Sequence, residues 1–577
     1  MSKGAPTAGE EVVPVEPVPL ATKARPAGRA GRWRYAACVT LIALGLFAAY
    51  FRLSWTAPLN SDGAANILQV ADMLHGNVLL HGWWLSDVSF YTTELPQYAL
   101  IEAILGQVPA VVHVAAGMTY TLAVLLAALV AKGRASGREG VLRMVIAAGI
   151  MLAPQYGGGV GVGGGVFVLD LSLGHIGTSV PLLLIWMLID RAGRRRWVPA
   201  VVGILLAWVL TADSLVIYVG VVPIVVVCAV RAYREVIVAR RPVASVWFEI
   251  ALAVSALVAV PVASTVLACI HAAGGFTVYP AHPVLTAGNH LPAHGTVVVE
   301  SILTLFGADF FGMRIGLGVC AALLHLTGLA LASWGVCLAL RRFGRRTGLD
   351  MLVDEIMAVA VVANLLAFLV STLAIDPSYA REIAVVLPFG AVLAGRLLAE
   401  RLASVRMLPV LALVLLGYTA SLGRGLVQAP VPTQNQRLAD WLVAKHLRYG
   451  LGDYWEASSV TLASGERVMV RPMDGRPMDG TRRRKVGAYP WEADAAWYNP
   501  ERYRANFAVF DLDSPAYKSE GTVAMARATF GRPAHTYRVG PYVVLVWHKN
   551  LLAGLRCGQV YGRPTGTKPT PAGPRCS

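Results

Sequence analysis

Residues 35–53 read YAACVTLIALGLFAAYFRL, and residues 54–97 continue SWTAPLNSDGAANILQVADMLHGNVLLHGWWLSDVSFYTTELPQ. The first stretch is apolar and almost uncharged, and about 20 such residues suffice to cross a bilayer as a helix. The second carries Asp62, Asp72, Asp87 and Glu94, with no Lys or Arg between Arg52 and Lys132. A basic stretch (Lys23, Arg25, Arg29, Arg32, Arg34) precedes the first run, and no small-residue cleavage site closes it. It therefore reads as a retained spanning helix with a cytoplasmic N-terminus and an acidic loop on the far side.

Working outward, ten more apolar runs follow, near 108–131, 141–156, 176–190, 198–212, 215–231, 248–270, 316–340, 351–374, 382–399 and 407–423. Of the 577 residues, 56% are hydrophobic and only 15% charged, against about 25% charged in soluble proteins. The expected fold is mainly α: a polytopic membrane bundle of about eleven helices. The net charge of +16 does not point to nucleic acid, because the basic residues cluster in short loops. Lys132–Arg138, RAGRRR at 191–196, Arg231–Arg241, RRFGRR at 341–346 and Arg396–Arg406 alternate with basic-poor loops at 54–95, 157–175, 212–214, 271–315 and 375–381. The positive-inside rule places the first set in the cytoplasm and the second outside, in a cell membrane.

An odd number of spans leaves residues 424–577 outside. Residues 433–449 have helical apolar spacing, while SSVTLAS, RVMVRP, ANFAVFD and YVVLVWH read as strands. The tandem RPMDG at 471–475 and 476–480 reads as a loop. The expected domains are a disordered cytoplasmic segment at 1–34, a transmembrane domain at 35–423, a small extracytoplasmic α/β domain at 424–556 and a disordered tail at 557–577. Cys38, Cys228, Cys269, Cys320 and Cys337 read as small core residues. Cys557 and Cys576 are able to pair in an oxidising compartment.

Residues 62–74 have amphipathic spacing, which predicts an interfacial helix with Asp62 at or near its N-cap. Arg381 in AIDPSYAREIAVVL opens a late helix beside Asp376, Tyr379 and Glu382. A guanidinium there suits a phosphate, or pairs with a neighbouring acid. Asp213 lies in a short turn between two apolar runs, and His175 follows the glycine-rich 157–167, which lacks a phosphate-loop pattern. His271, His282, His290 and His294 match no metal-ligand spacing, so no metal site is assigned.

The acidic first loop with its short helix, the many spans, the Tyr-Ala-Arg-Glu segment and the terminal domain together resemble the GT-C superfamily of integral-membrane glycosyltransferases. The nearest branch is protein-mannosyltransferase-like. That resemblance implies transfer of a sugar from a polyprenyl-phosphate donor to an extracytoplasmic glycan or protein. It implies Asp62 as catalytic base, Glu94 as assisting acid with Asp87 in reserve, and Arg381 on the donor phosphate. His175, Asp213, Asp376 and Tyr379 are further cavity candidates. Unlike many members, the chain has Gly63 after Asp62 rather than a second acid. A lipid-linked-saccharide flippase, or a non-catalytic envelope protein on the same scaffold, fits the same layout. The aromatic stretch YPWEADAAWYNPERY at 489–503 suits either sugar stacking or a core.

Overall fold

A computed structural model describes residues 29–155, 164–171, 174–279, 284–344, 351–433, 435–477, 484–489, 491–514 and 521–555. The chain forms two compact units, Met1–Gly45 and Leu46–Ser577, and the contacts below lie within the second. Cys557, Cys576, His282 and most of the glycine-rich run lie outside the described residues.

Helices dominate. They are α1 (Arg29–Ser54), α2 (Ser61–Leu74), α3 (Glu94–Leu105), α4 (Ala110–Lys132), α5 (Gly137–Met151), α6 (Ile176–Ala192) and α7 (Val198–Ala212), then α8 (Val222–Tyr233), α9 (Trp247–Ala272), α10 (Leu291–Phe306), α11 (Leu317–Arg342), α12 (Leu352–Val370), α13 (Val386–Leu402) and α14 (Leu408–Leu426). Every apolar run read from the sequence carries a helix, because lipid cannot satisfy backbone N–H and C=O groups and a helix does so internally. Among the described residues six helices are long and apolar enough to cross a membrane, or seven if Pro377–Ile383 and α13, bent by 57°, count as one span. The stretch read as an outer loop at 271–315 contains α10. It is shorter than a span, and its buried Leu303, Leu305 and Phe306 pack into the bundle.

Contacts sort the helix ends into two groups. In one, Arg396 sits 3.1 Å from Asp190 and 2.5 Å from Asp354, and its Nη1 donates to the Val130 carbonyl. Arg231 meets Glu355 at 2.6 Å, the Gly344 N–H donates to the same carboxylate, and Arg194 meets Glu249 at 2.5 Å. These pairs join the ends of α4, α6, α8 and α13 and the turn after α11 to the starts of α9 and α12. In the other group, Tyr50 Oη donates to the Leu152 carbonyl and Tyr120 Oη to that of Met151, while Ser89 Oγ donates to that of Thr211. Of the five apolar-run cysteines only Cys228 is buried; the others face outward from the helices.

The C-terminal region adds α15 (Gln436–Ala444), α16 (Tyr454–Ala463) and α17 (Val523–Phe530). Strands, counted from the start of the chain, are β1 (Trp83–Leu85), β2 (Thr277–Val278), β3 (Tyr449–Gly452), β4 (Met469–Pro477), β5 (Arg484–Ala488), β6 (Ala493–Asp494), β7 (Phe507–Asp511), β8 (His535–Val539) and β9 (Tyr542–Val546). Six form a mixed sheet in the order β5-β4-β3-β7-β9-β8, with β3 parallel to β4 and β7. Alternation along β7 and β9 divides the core: Phe507, Val509, Val544 and Val546 join the cluster under α15 and α16, and Ala508, Phe510 and Leu545 join the larger one continuous with the bundle.

Two segments of this region depart from their local sequence preference. SSVTLAS is helical: its first six residues end α16, and Ser464 is the C-cap. Its hydroxyls bond back one turn, Ser459 Oγ to the Trp455 carbonyl and Thr461 Oγ1 to that of Ala457, which accommodates Ser and Thr in a buried helix. The first RPMDG lies in β4 rather than in a loop. Pro472 falls where β4 leaves β3, opposite Gly452, so its missing N–H costs no ladder bond, and Met473, Asp474 and Gly475 then pair with β5.

A second, three-stranded sheet, β2-β1-β6, ties the first loop to residues 277–278 and to the C-terminal region. Trp84 stands opposite Thr277 on one side and Ala493 on the other. Asp72 holds it in place, accepting from Trp83 Nε1 at 2.7 Å and from Asn77 Nδ2 at 2.6 Å.

Replacing Arg396 with Met strands two buried carboxylates and is expected to lower stability by about 3–5 kcal/mol. Thermal unfolding of the purified protein measures this; an unchanged transition contradicts a clamping role.

Candidate functional site

Asp62 is the residue on which the site turns. It does not cap α2: Asn60 does, its Oδ1 accepting the Gly63 N–H at 3.2 Å. Nor does α2 lie free on a membrane surface, since residues 63–70 are buried and α2 packs against α16 and α3. Ser61 Oγ donates to the Trp455 carbonyl at 2.8 Å and accepts from the Ser459 N–H. With the cap provided by Asn60, the Asp62 carboxylate is available for long-range contacts. Its Oδ2 lies 3.2 Å from Arg381 Nη1, and its Oδ1 accepts from Tyr454 Oη at 2.6 Å.

Arg381 sits in the tight helical turn Pro377–Ile383, which Asp376 caps by accepting the Ser378 N–H. Asp376 is thus an exposed structural cap. The Arg381 guanidinium stands 5.7 Å from the Tyr379 ring centroid, and its Nε is 3.6 Å from Glu382 Oε1. Behind it runs a chain of polar contacts. Glu382 Oε2 accepts from His175 Nε2 at 2.8 Å, and Asp213 Oδ2 accepts from His175 Nδ1 at 2.6 Å. Thr178 Oγ1 donates to the same Asp213 oxygen, and the Leu215 N–H donates to the other. Asp213 therefore shapes its turn and also grips His175, which is buried rather than a surface histidine.

On the opposite flank, Glu492 Oε2 lies 2.5 Å from Tyr454 Oη. Glu492 is buried, and burial first, then the charge of Asp62, pushes its carboxyl well above the ordinary range. Asp87 is half-buried near this group; burial raises its carboxyl, Glu382 adds to the effect, and His175 and Arg381 oppose it.

Glu94 is placed differently. It opens α3 as a buried side chain, accepts from Thr93 Oγ1, and fills the space beside Gly177 where a side chain would begin. None of its contacts among the described residues reaches Asp62 or Arg381. Burial pushes its carboxyl up to about 7.

The structure thus brings together Asp62, Arg381, Tyr379, His175 and Asp213, and adds Tyr454, Glu382 and Glu492. Glu382 adjoins Arg381 in sequence. Tyr454 and Glu492 carry no local signal, because a strand-to-helix turn and a 38-residue separation bring them to Asp62. Of the aromatic stretch, Trp497 and Tyr498 are core, whereas Tyr489 and Trp491 stay half-exposed, with parallel rings 6.3 Å apart and Tyr279 5.0 Å from Trp491. Among the described residues no group of three or more His, Cys, Asp or Glu is arranged to hold a metal ion. The sequence matches no protein-family model, and no curated protein is significantly similar to it.

Glu94 binds its proton more tightly folded than unfolded, where its value is about 4.3. The parent therefore loses stability as pH rises through the window from about 4.3 to about 7, and no further above it. Glu94→Gln lacks this titration and is expected to gain on the parent across that window, by on the order of 3 kcal/mol near pH 8. Melting temperatures compared near pH 5 and pH 8 test it; an equal difference at both contradicts a buried, titrating Glu94.

Proposed function

We propose that this protein is a membrane glycosyltransferase that moves a sugar from a polyprenyl-phosphate donor to an acceptor hydroxyl on the outer side of a cell membrane. The observation that carries this reading is the contact between Asp62 and Arg381, 3.2 Å apart with side chains 17% and 28% exposed. A carboxylate and a guanidinium, both within reach of solvent, supply the two groups such a transfer needs. Asp62 takes the acceptor proton as its oxygen attacks the anomeric carbon. The bond from that carbon to the phosphate oxygen breaks, and the electron pair leaves with the polyprenyl phosphate. Arg381 offers Nη2 to the departing phosphate while Nη1 and Nε face Asp62 and Glu382.

In this reading about eleven helices cross the membrane, with the N-terminus cytoplasmic and residues 424–556 outside. The segregation of helix ends supports it: Arg396, Arg231 and Arg194 gather at one end, with Asp62 and Arg381 at the other. Long domains translocate regardless of charge, so the basic terminal domain is compatible. The half-exposed rings of Tyr489 and Tyr279 both border Trp491, which adjoins Glu492 in the chain, and suit the apolar face of an acceptor sugar. A second reading, transport of a lipid-linked saccharide, draws on the 57° bend before α13 and on buried Asp170, whose carboxyl oxygens have no hydrogen-bond partner among the described residues.

Asp62→Asn is expected to lower envelope-glycan or glycoprotein labelling by about 100-fold or more, and Arg381→Ala by about 100-fold, at unchanged membrane abundance. Unchanged labelling in both variants sinks the assignment. Lost translocation of lipid-linked sugar with transfer intact favours transport.

In the same assay Trp491→Ala is expected to raise KM for the acceptor with little change in kcat. A fall in kcat alone removes the acceptor-binding role.

A further inference from the structure

Tyr454 Oη stands between two carboxyl groups, 2.6 Å from Asp62 Oδ1 and 2.5 Å from Glu492 Oε2. A phenol has one proton to donate. If both carboxyls were ionised, one of the two contacts would set oxygen lone pairs against each other at hydrogen-bond distance. A phenolate between them would be worse, adding a third negative charge. The geometry is satisfied only when one carboxyl carries a proton and donates it to Tyr454 Oη.

The surroundings decide which one. Asp62 has the Arg381 guanidinium at 3.2 Å to balance a negative charge and is partly open to solvent. Glu492 is 4% exposed, and no cation contacts it among the described residues. The titratable groups around it are Asp62, Tyr454, Arg381 and Asp87; Tyr489 borders Tyr454, with ring centroids 6.2 Å apart. Two of these, Asp62 and Asp87, are carboxylates that oppose a further negative charge, and with burial they outweigh the opposing pull of Arg381.

The backbone points the same way. Glu492 has φ +46, a left-handed conformation that a residue with a Cβ adopts rarely and at a cost. It is held there because Ala493 and Asp494 are locked opposite Trp84 and Trp83. Such strain persists where the fold over-determines it, and it is frequent at functional sites.

We propose that the C-terminal region completes the site by supplying a neutral carboxylic acid: Glu492 O–H donates to Tyr454 Oη, and Tyr454 O–H donates to Asp62 Oδ1. Glu492 and Tyr454 are positioning residues. They aim Asp62 and occupy one of its oxygens, which leaves the other, on the Arg381 side, to face the acceptor. This consequence rests on Asp62 being the base of the proposed transfer; the location of the proton does not.

The test uses the full chain in detergent or nanodiscs near neutral pH. In the infrared difference between parent and Glu492→Gln, a protonated-carboxyl carbonyl band is expected to disappear, with carboxylate bands unchanged. Loss of a carboxylate band instead overturns the proposal. Tyr454→Phe removes the acceptor of that O–H and is expected to shift the band; an unshifted band also overturns it.

Function is read separately. Glu492→Met, which has no donor, is expected to lower kcat by about tenfold, while Glu492→Gln, whose amide still donates to Tyr454, recovers most of that loss. In the parent, activity is expected to fall at alkaline pH as Glu492 ionises, and Glu492→Gln carries that limb to higher pH. Equal losses in Met and Gln with an unmoved limb overturn the positioning role. An acid band that behaves as expected in a protein without transferase activity supports the proton on Glu492 and overturns only the glycosyltransferase reading.

Discussion

Asp62 has two carboxylate oxygens, and the architecture around the site follows from where they go. One faces Arg381, 319 positions along the chain in the turn before α13; the other faces Tyr454, 392 positions along at the start of α16. A single side chain thus joins the first loop, the late bundle and the C-terminal region. The contact is possible because Asn60 relieves Asp62 of capping and because α2 is pressed between α16 and the bundle. The short sheet β2-β1-β6 holds the first loop in register with the C-terminal region and with residues 277–278, and Asp72 anchors it through the Trp83 indole. Without that registration the Tyr454–Asp62 contact would be one of many loose arrangements, since surface loops alone do not hold polar groups at 2.6 Å.

The two ends of the bundle use similar chemistry to different ends. Arg396, Asp190 and Asp354 have side chains only 4–5% exposed, so their charges are closed off and serve to clamp helices. Asp62, Arg381 and Glu382 are 17–28% exposed, so theirs can meet an incoming phosphate or hydroxyl. The difference is one of exposure rather than residue type. It separates a stabilising network from a candidate site more clearly than any motif does. His175 links the half-exposed layer to the buried one: its two nitrogens bridge Glu382 and Asp213, so the orientation of Arg381 is backed by groups well inside the protein.

Within the C-terminal region, the strands whose residues alternate or are richly apolar, around 507–511 and 542–546, could be read directly. β3 (YGLG) and β8 (HTYRV) could not, because each offers only one apolar pair at a spacing of two, Tyr449 with Leu451 and Tyr537 with Val539, too short a pattern to distinguish a strand from a turn. SSVTLAS misleads in the opposite sense. Its β-branched and hydroxyl residues favour strand locally, yet its position between β3 and β4, which run parallel, requires a crossover, and a helix provides it.

What the sequence by itself determined is the helical bulk of the chain, the positions of its apolar runs, the grouping of basic loops, and Asp62 and Arg381 as residues worth singling out. Those features are local: hydrophobic length and charge are properties of consecutive residues. Only the tertiary structure decided that Asp62 and Arg381 touch, that Glu94 is buried away from them, that α10 occupies a supposed loop, and that Tyr454 and Glu492 belong to the same group. Apart from α10, each of these rests on contacts between segments tens to hundreds of residues apart. No periodicity encodes such contacts, because they depend on how helices and sheets pack once formed.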